Sequence, residues 1–294
     1  MERSQLQYVV EVAKWQNITR AAEALHLSQP SLSNQILNLE QELGISLFER
    51  TRKRVYLTQA GESFVYQAQK ILNDMDALKE NMADYAKRRA GKVRVGALSV
   101  MAPLGIPEVL SAFSKQYPAL QLTLMEAGSY DLVNRVKMNE LDAAFVILFN
   151  AEKEEELYQI KLLESDLMAV VHIDDPLAQR KELILKDLEE QRLIVSTENY
   201  NMQRLILSQL DQRNIPYQIA ASCNQVETCF RLVDEGFGIS YSSRETSLYY
   251  KYDHVRCILI RDVPARPVYL VYKKRPEYHP ALRAFVSFVQ EWYQ

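Results

Sequence analysis

The stretch from Ile18 to Ser33 reads ITRAAEALHLSQPSLS, and it decides how the N-terminal part of the chain folds. Its first half is rich in alanine, which favours a short helix. Ser28 can cap a second helix, and Pro30 lies in the first turn of that helix, where the missing N–H costs little. Gly44 ends the apolar periodicity of the second helix. Two short helices joined by a tight turn predict a helix-turn-helix.

The outer face of the second helix begins with small and amide side chains. They are Ser31, Ser33, Asn34 and Gln35. A recognition helix contacts base edges from its first turns, and an Asn or Gln amide can form two hydrogen bonds with adenine. This pattern indicates a DNA-reading face, although an ordinary solvated helix face would show the same residues.

A basic segment follows the second helix. Residues 47–57 read LFERTRKRVYL, in which apolar residues flank the cations Arg50, Arg52, Lys53 and Arg54. The pattern predicts a hairpin with a basic tip, a wing that suits contact with phosphates. The formal net charge of the whole chain is −3, so a nucleic-acid surface has to be local. A solubilising turn is the alternative.

Thr58 can cap a long helix that extends to about Lys87. Its apolar residues alternate at spacings of four and three residues and form a seam of Phe64, Ala68, Ile71, Met75, Leu78, Met82 and Tyr85. This heptad pattern predicts a coiled coil and therefore a dimer. Such a dimer holds two recognition helices about one turn of DNA, roughly 34 Å, apart. The alternative is a helix that packs on its own domain.

The chain beyond Lys92 alternates strand-like runs with helical patterns. Strands at residues 92–98, 120–124 and 143–147, with helices between them, predict a parallel sheet with right-handed crossovers. Ligands of such sheets bind beyond the carboxyl ends of the strands. The residues predicted at these ends are Ser99, Val100, Met101, Gly128, Ser129, Ile147, Ser196, Thr197 and Asn224. Hydroxyl groups beside helix N-termini favour a small anion such as a carboxylate, although any single hydroxyl could be only a helix cap.

The N-terminal residues resemble the signature of the LysR-type transcriptional regulator family. The resemblance includes residues 18–33, 39–44, 47–50 and 57–62; it is dense up to about residue 65 and weaker beyond. It implies a winged helix-turn-helix (all-α with a small β wing) at 1–58, a dimerisation linker helix at 59–90 and an effector-binding α/β domain at 91–294. That domain would be like periplasmic binding proteins. Its two Rossmann-like subdomains would span about 91–162 with 266–294, and about 163–265.

The resemblance also implies a function, a sequence-specific DNA-binding transcription regulator and not an enzyme. The expected partners are double-stranded DNA, a small-molecule effector, further copies of the chain in a homodimer or homotetramer, and RNA polymerase. The implied DNA contacts are Thr19, Arg20, Ser28, Gln29, Pro30, Ser31, Ser33, Asn34, Gln35, Arg50, Arg52, Lys53 and Arg54. Many relatives carry Arg where this chain has Asn34. Because Arg favours guanine and Asn favours adenine, an A/T-leaning half-site is expected there.

Two other functions remain open from the sequence. A thiol-based redox sensor could use Cys223 and Cys229, although no nearby basic residue would lower a thiol pKa, so inert thiols are favoured. An enzyme that binds a small molecule is the other alternative. Nucleotide-binding and zinc-protease motifs are missing, and Gly236-Phe237-Gly238 is too weak a glycine pattern to bind a nucleotide. No cofactor and no metal is expected.

The expected location is the cytoplasm. The first 25 residues carry charges every few positions and contain no apolar core of a signal peptide. No apolar run approaches the roughly 18 residues that a membrane span requires, so no membrane partner is expected. The three cysteines are sparse and odd in number, which is typical of reduced thiols.

Overall fold

The computed structural model describes residues 1–50, 55–87, 91–148, 155–196 and 201–294. The chain divides into two compact units, Met1–Arg88 and Arg89–Gln294. The first unit is built, in chain order, from α1 (Arg3–Trp15), α2 (Ile18–Ala24), α3 (Gln29–Leu43), β1 (Phe48–Arg50), β2 (Val55–Leu57) and α4 (Gln59–Lys87).

The helix-turn-helix predicted from the sequence is confirmed, and its ends are set by local hydrogen bonds. Asn17 Oδ1 accepts a hydrogen bond from the N–H of Arg20 at 3.1 Å, which caps α2. Ser28 Oγ accepts from the N–H of Ser31 at 3.3 Å and caps α3. Gly44 ends α3 with φ of 69°, in the left-handed region that glycine enters without strain.

The first unit has a small apolar core, to which α3 contributes one stripe of apolar side chains. The core comprises Val9, Val12, Ala21, Ala22, Leu32, Ile36, Leu39, Leu47 and Phe48. The hairpin is held against this core by Glu40, whose Oε1 accepts hydrogen bonds from the N–H groups of Leu47 at 2.6 Å and Phe48 at 3.1 Å. With its apolar stripe buried, α3 presents its opposite face to solvent.

The start of α4 lies close to the hairpin. Thr58 Oγ1 accepts from the N–H of Gly61 at 2.9 Å, as predicted for a cap, and donates to the carbonyl of Ser46 at 2.8 Å. A Cβ on Gly61 would lie 2.0 Å from the carbonyl oxygen of Leu47, so only glycine allows this approach.

The interpretation of α4 as a single continuous seam needs correction. Ala68 is buried against α1 together with Leu72, a residue outside the predicted seam, and their cluster contains Leu6. The first half of the helix therefore packs on its own unit. The seam residues Ile71, Leu78 and Met82 are 42%, 61% and 52% exposed. These three residues form an exposed apolar surface on α4.

The second unit alternates strands and helices. Its elements are β3 (Lys92–Ala97), α5 (Ile106–Gln116), β4 (Gln121–Glu126), α6 (Ser129–Lys137), β5 (Ala143–Ile147), β6 (Leu157–Ser165), β7 (Leu167–His172), β8 (Glu182–Leu183), β9 (Arg192–Ser196), α7 (Asn201–Gln212), β10 (Gln218–Cys223), α8 (Val226–Asp234), β11 (Ser240–Ser243), α9 (Arg244–Tyr249), β12 (Val255–Ile260), β13 (Arg266–Lys273) and α10 (Pro280–Trp292). No helix within the described residues has the length and apolar character needed to cross a membrane.

The strands form two halves. The first is a five-stranded sheet of order β4-β3-β5-β13-β6, in which β3 runs parallel to β4 and β5, as predicted, and β13 runs antiparallel to β5 and β6. The second half contains the sheet β11-β7-β12-β8 and the parallel pair β10-β9, which are joined by a bridge between Leu193 and Ile239. Each half has its own apolar core.

The chain passes between the halves twice, after β6 and before β13. The two crossings lie beside each other, since Arg266 at the start of β13 pairs with Ser165 at the end of β6. The strand β6 remains in the first sheet up to Ser165, beyond the subdomain limit at about 162 expected from the sequence. This pair of adjacent crossings is the geometry of a hinge.

Two antiparallel strands, β6 and β12, were missed in the sequence analysis. In β6 the sequence LYQIKLLES intersperses polar residues without strict alternation, and the strand lies at the edge of its sheet with partly exposed residues. Such a strand carries a weak periodic signal.

Candidate functional site

The exposed surface of the helix-turn-helix gathers the residues predicted to contact DNA. Thr19, Arg20, Ser28, Gln29, Pro30, Ser31, Asn34 and Gln35 are exposed, and Ser33 is half-buried. Gln29 Nε2 donates a hydrogen bond to Ser33 Oγ at 2.8 Å, which holds these two side chains together in the first turns of α3. Within the described residues the Asn34 amide makes no hydrogen bond, so its donor and acceptor are both available to a base edge.

The hairpin that follows matches the predicted wing in its backbone. β1 and β2 pair antiparallel, with Phe48 opposite Leu57 and Arg50 opposite Val55. The predicted basic tip with Arg52, Lys53 and Arg54 lies outside the described residues, and so does the side chain of Arg50. Their assignment to DNA contact stays a prediction.

A cavity that is partly open to solvent lies in the second unit between its two halves. It is lined by Leu98, Ser99, Val100, Leu104, Ala127, Gly128, Ser129, Ile147, Ser165, Ser196, Val226, Cys229, Ser240, Tyr241, Ser242, Ser243, Thr246, Arg266 and Val268. A largely apolar wall with a few polar groups is typical of small-molecule sites.

Six of the residues predicted for effector binding line this cavity. They are Ser99, Val100, Gly128, Ser129, Ile147 and Ser196. Met101 and Asn224 are not among its lining residues: Met101 packs against the apolar core of the first half, and Asn224 is exposed. Thr197 lies outside the described residues.

Strand ends position the first wall of the cavity. Ser99 follows β3, and Gly128 precedes Ser129 at the start of α6. Ser129 is buried, and its Oγ accepts a hydrogen bond from the N–H of Ile147 at 3.0 Å. That hydroxyl therefore also ties α6 to the end of β5.

The opposite wall contains polar residues that the sequence analysis missed. β11 supplies the buried run Ser240-Tyr241-Ser242-Ser243, and Thr246 of α9, Ser165 and Arg266 also line the cavity. A Ser-Tyr-Ser-Ser run in a buried strand is a sequence signal that could have been noticed. Arg266 has no such signal, because nothing in its neighbourhood separates it from the other cations of the chain.

Arg266 is the only charged residue among the described residues that line the cavity. Its side chain is 3% exposed, and its Nε has no hydrogen-bond partner. Burial lowers the pKa of Arg266 to about 10, while the nearby Glu245 carboxylate opposes this change. The guanidinium is therefore still protonated at neutral pH, in a place where little compensates its charge.

Two hydroxyl groups of the second half are also unsatisfied. Ser196 Oγ and Tyr241 OH are buried and have no hydrogen-bond partner. Burial raises the pKa of Tyr241, and the neighbouring Ser196 offsets part of that rise, so the two hydroxyls lie close together. Neighbouring hydroxyls can hydrogen-bond to each other, so these two atoms do not by themselves identify a ligand.

The cysteines form a thiol cluster rather than isolated residues. Cys229 is buried, with Cys223 and Cys257 packed against the same apolar cluster, and all three are free thiols. Burial, with Cys223 beside it, raises the pKa of Cys229 to about 12. Burial also raises the pKa of Cys257. A thiol with a raised pKa carries little thiolate at neutral pH and is unreactive.

The fold brings two histidines together that are far apart in the sequence. The rings of His172 and His254 stack with centroids 5.9 Å apart. Asp174 lies 3.6 Å from His172 and Asp234 lies 3.5 Å from His254. Within the part of the chain that the structure describes, no group of three or more His, Cys, Asp or Glu residues could hold a metal ion.

Two family profiles match this chain. Residues 4–62 match the profile of the bacterial regulatory helix-turn-helix protein of the lysR family, and residues 86–294 match the LysR substrate binding domain. The chain is 28% identical to a hydrogen peroxide-inducible genes activator of Dickeya chrysanthemi, over 91% of this chain and 88% of the relative. It is 29% identical to the Hca operon transcriptional activator HcaR of Escherichia coli K12, over 99% of this chain and 98% of the relative.

Solved full-length regulators share the fold. An OxyR variant from Pseudomonas aeruginosa superposes with a TM-score of 0.65 at 26% identity, covering 99% of this chain and 94% of that one. CbnR in complex with its target DNA superposes with a TM-score of 0.69 at 22% identity, covering 99% of both chains, which is evidence for the fold alone.

Proposed function

Because the chain belongs to the LysR family of DNA-binding transcription regulators with an effector-binding domain, we propose that it binds operator DNA as a homodimer or homotetramer. We propose further that a small molecule bound in the cavity of the second unit changes this binding. The chain is proposed to act in the cytoplasm, where DNA is accessible, and to turn over no substrate.

The observation that carries the DNA-binding role is the solvent-exposed start of α3. The apolar stripe of Leu32, Ile36 and Leu39 is buried, so the polar face with Asn34 and Gln35 is directed outward. We assign base contacts to that face and phosphate contacts to Thr19, Arg20 and the basic hairpin tip. The amides of Asn34 and Gln35 favour adenine in the half-site.

The effector role is supported by the cavity. Its wall is largely apolar with a few polar groups, as in small-molecule sites, and residues of both halves of the unit line it. A ligand that contacts both halves favours the conformation in which they are close together, since it binds that state better. A change of this kind in the second unit can alter the spacing of the DNA-binding units within an oligomer.

Self-association and contact with RNA polymerase are the remaining partner proposals. The exposed seam residues Ile71, Leu78 and Met82 provide an apolar surface for a second α4. Curated relatives carry names such as transcriptional activator, and activation at a promoter is commonly achieved by contact with RNA polymerase.

Redox sensing is the second candidate, since Cys223 lies beside Cys229 and several relatives are named as hydrogen peroxide-inducible activators. The raised pKa of Cys229 makes this the weaker candidate, because the thiolate is the reactive form. DNA binding measured before and after peroxide treatment decides between the two. We expect no change for the wild type or for Cys229→Ser; a peroxide response lost in Cys229→Ser would favour redox sensing.

The proposed function is tested by operator capture. Genomic fragments retained by the purified full chain are sequenced, and one retained duplex is footprinted with DNase. We expect protection of two half-sites whose centres are separated by a whole number of DNA turns, about 10 base pairs each. Retention of fragments without sequence preference, matched by a variant with Asn34→Ala and Gln35→Ala, would contradict the proposal.

A further inference from the structure

Leu37 is an exposed leucine of α3 to which the base contacts proposed above give no role. Its side chain is 39% exposed, although leucine is among the residues that proteins most often bury. We propose that Leu37 contacts the 5-methyl group of a thymine in the major groove and makes that base pair a determinant of specificity. The inference rests on the proposed function, because it adds one contact to the same DNA-reading face.

Leu37 lies on the side of α3 that is directed outward. Residues three and four positions apart lie on the same side of a helix. Pro30, Asn34 and Leu37 follow one another at spacings of four and three residues, and all three are exposed, whereas the apolar stripe of the helix is buried. Leu37 therefore belongs to the row of side chains that α3 presents to a groove.

The distance between Leu37 and Asn34 along the helix allows both to reach neighbouring base pairs. Three residues of an α-helix rise about 4.5 Å, and stacked base pairs are about 3.4 Å apart. The base pair that Leu37 contacts therefore lies within about two steps of the one that Asn34 contacts. In known recognition helices, base-contacting residues likewise recur at spacings of three and four over about two turns.

The fold of the first unit does not occupy Leu37. Among the described residues, it belongs neither to the apolar core of this unit nor to the partly buried side chains packed against that core. The apolar cluster between α1 and α4 does not include it either. A single exposed apolar side chain is ordinary on a protein surface, so the assignment depends on the position of Leu37 beside Asn34.

The composition of α3 favours thymine as the base that Leu37 contacts. The helix, Gln29–Leu43, contains no lysine and no arginine, the side chains that most often read guanine. The methyl group of thymine is the apolar group that the four bases present in the major groove. Against any other base edge, Leu37 would displace water from polar atoms without replacing the lost hydrogen bonds. Thymine is therefore the base that the leucine selects.

The test replaces each thymine of a captured operator duplex by deoxyuridine, one position at a time. Deoxyuridine lacks only the 5-methyl group and keeps the same hydrogen-bonding edge. We expect the full chain to bind about fourfold more weakly when the thymine that faces Leu37 is replaced, which is the loss that one buried methyl group produces. The sensitive position should lie within about two base pairs of the one whose preference changes in Asn34→Arg.

Leu37→Ala and a matched control show whether the leucine is responsible. Leu37→Ala should bind the thymine and the deoxyuridine duplexes equally, because it lacks the side chain that contacts the methyl group. Leu43→Ala makes the same change at the last residue of α3, where the leucine is 36% exposed, and should keep the full effect. Circular dichroism should show unchanged helix content in both variants, since alanine favours helix.

Leu37→Gln changes which base the position can read. A glutamine amide can form two hydrogen bonds with adenine, whereas it gains nothing from the thymine methyl group. This variant should therefore prefer a duplex with adenine in place of the thymine by about fivefold or more, measured by competition between the two duplexes.

Two results would overturn the inference. One is that no deoxyuridine position weakens binding by the wild type. The other is a loss of the same size in Leu37→Ala, which would mean that the methyl group acts through another contact or through the shape of the duplex. Either result leaves the proposed function in place if the operator is still bound with sequence preference. If the chain retains no DNA, the proposed function fails, and this contact fails with it.

Discussion

At the scale of single residues, the clearest functional contrast is between Asn34 and Arg266. Asn34 is exposed and makes no hydrogen bond to the described residues, whereas Arg266 is buried and its Nε has no hydrogen-bond partner among them. The first could be predicted from the sequence, because the cap at Ser28 and the apolar stripe of α3 fix which side chains face outward. The burial of Arg266 could not be predicted from the sequence. Its burial depends on the pairing of β13 with β6, and that contact joins residues far apart in the sequence.

Base preference at one position of the half-site is predicted to change with Asn34→Arg. The guanidinium pairs with guanine O6 and N7, whereas the amide pairs with adenine, and each good pair is worth about 1–3 kcal/mol of discrimination. Binding is measured against duplexes that vary at each position of a captured operator. Asn38→Arg, later on the same exposed helix face, adds the same charge and should raise affinity without changing preference. An unchanged preference in Asn34→Arg would remove this residue from base readout.

Arg266→Met is predicted to leave the free protein at least as stable as the wild type. Replacing a buried charge with an apolar side chain of similar volume is often neutral or stabilising by about 1–4 kcal/mol. On the same strand, Leu270→Ala should lower the free energy of unfolding by about 2–5 kcal/mol, because Leu270 is 0% exposed. Urea unfolding of both variants measures the difference. A loss in Arg266→Met as large as that in Leu270→Ala would mean that the guanidinium has a partner.

At the scale of elements, α4 shows both what periodicity predicts and what it misses. The heptad pattern predicted the helix correctly, but it did not show that Ala68 and Leu72 would pack on α1. A stripe of apolar residues shows which face of a helix is buried. It does not show whether a helix of the same unit or another copy of the chain covers that face. β6 was missed because it is an edge strand. Several of its residues are exposed, so its apolar pattern is weak.

Leu78→Glu is predicted to weaken dimerisation and DNA affinity together, without destabilising the first unit. Leu78 is 61% exposed in the single chain, so a charge there costs little until a second helix approaches. Analytical ultracentrifugation gives the oligomeric state, and circular dichroism gives the thermal midpoint. Gln67→Glu introduces the same carboxylate at an exposed position of α4 outside the seam and should leave both unchanged. A Leu78→Glu protein that remains dimeric would show that the seam is not the interface.

At the scale of the whole molecule, two units with different tasks explain the distribution of charge and polarity. A net charge of −3 does not favour DNA, so binding has to come from the local surface of the first unit. The second unit contributes a cavity lined by one buried cation and several hydroxyl groups. The order of the units and the parallel core of the first sheet were predictable from motifs and periodicity. The polar wall of the cavity depends on the antiparallel strands β11 and β13, whose partners no local pattern identifies.

The most direct test is the binding of purified protein to a captured operator duplex at several salt concentrations, with the mass of the complex determined in parallel. We expect a complex that contains two or four chains and an affinity that falls steeply with salt, as it does when several cations contact phosphates. No shift of any fragment at low ionic strength, or a complex that contains one chain, would contradict a regulator that presents paired recognition helices to DNA.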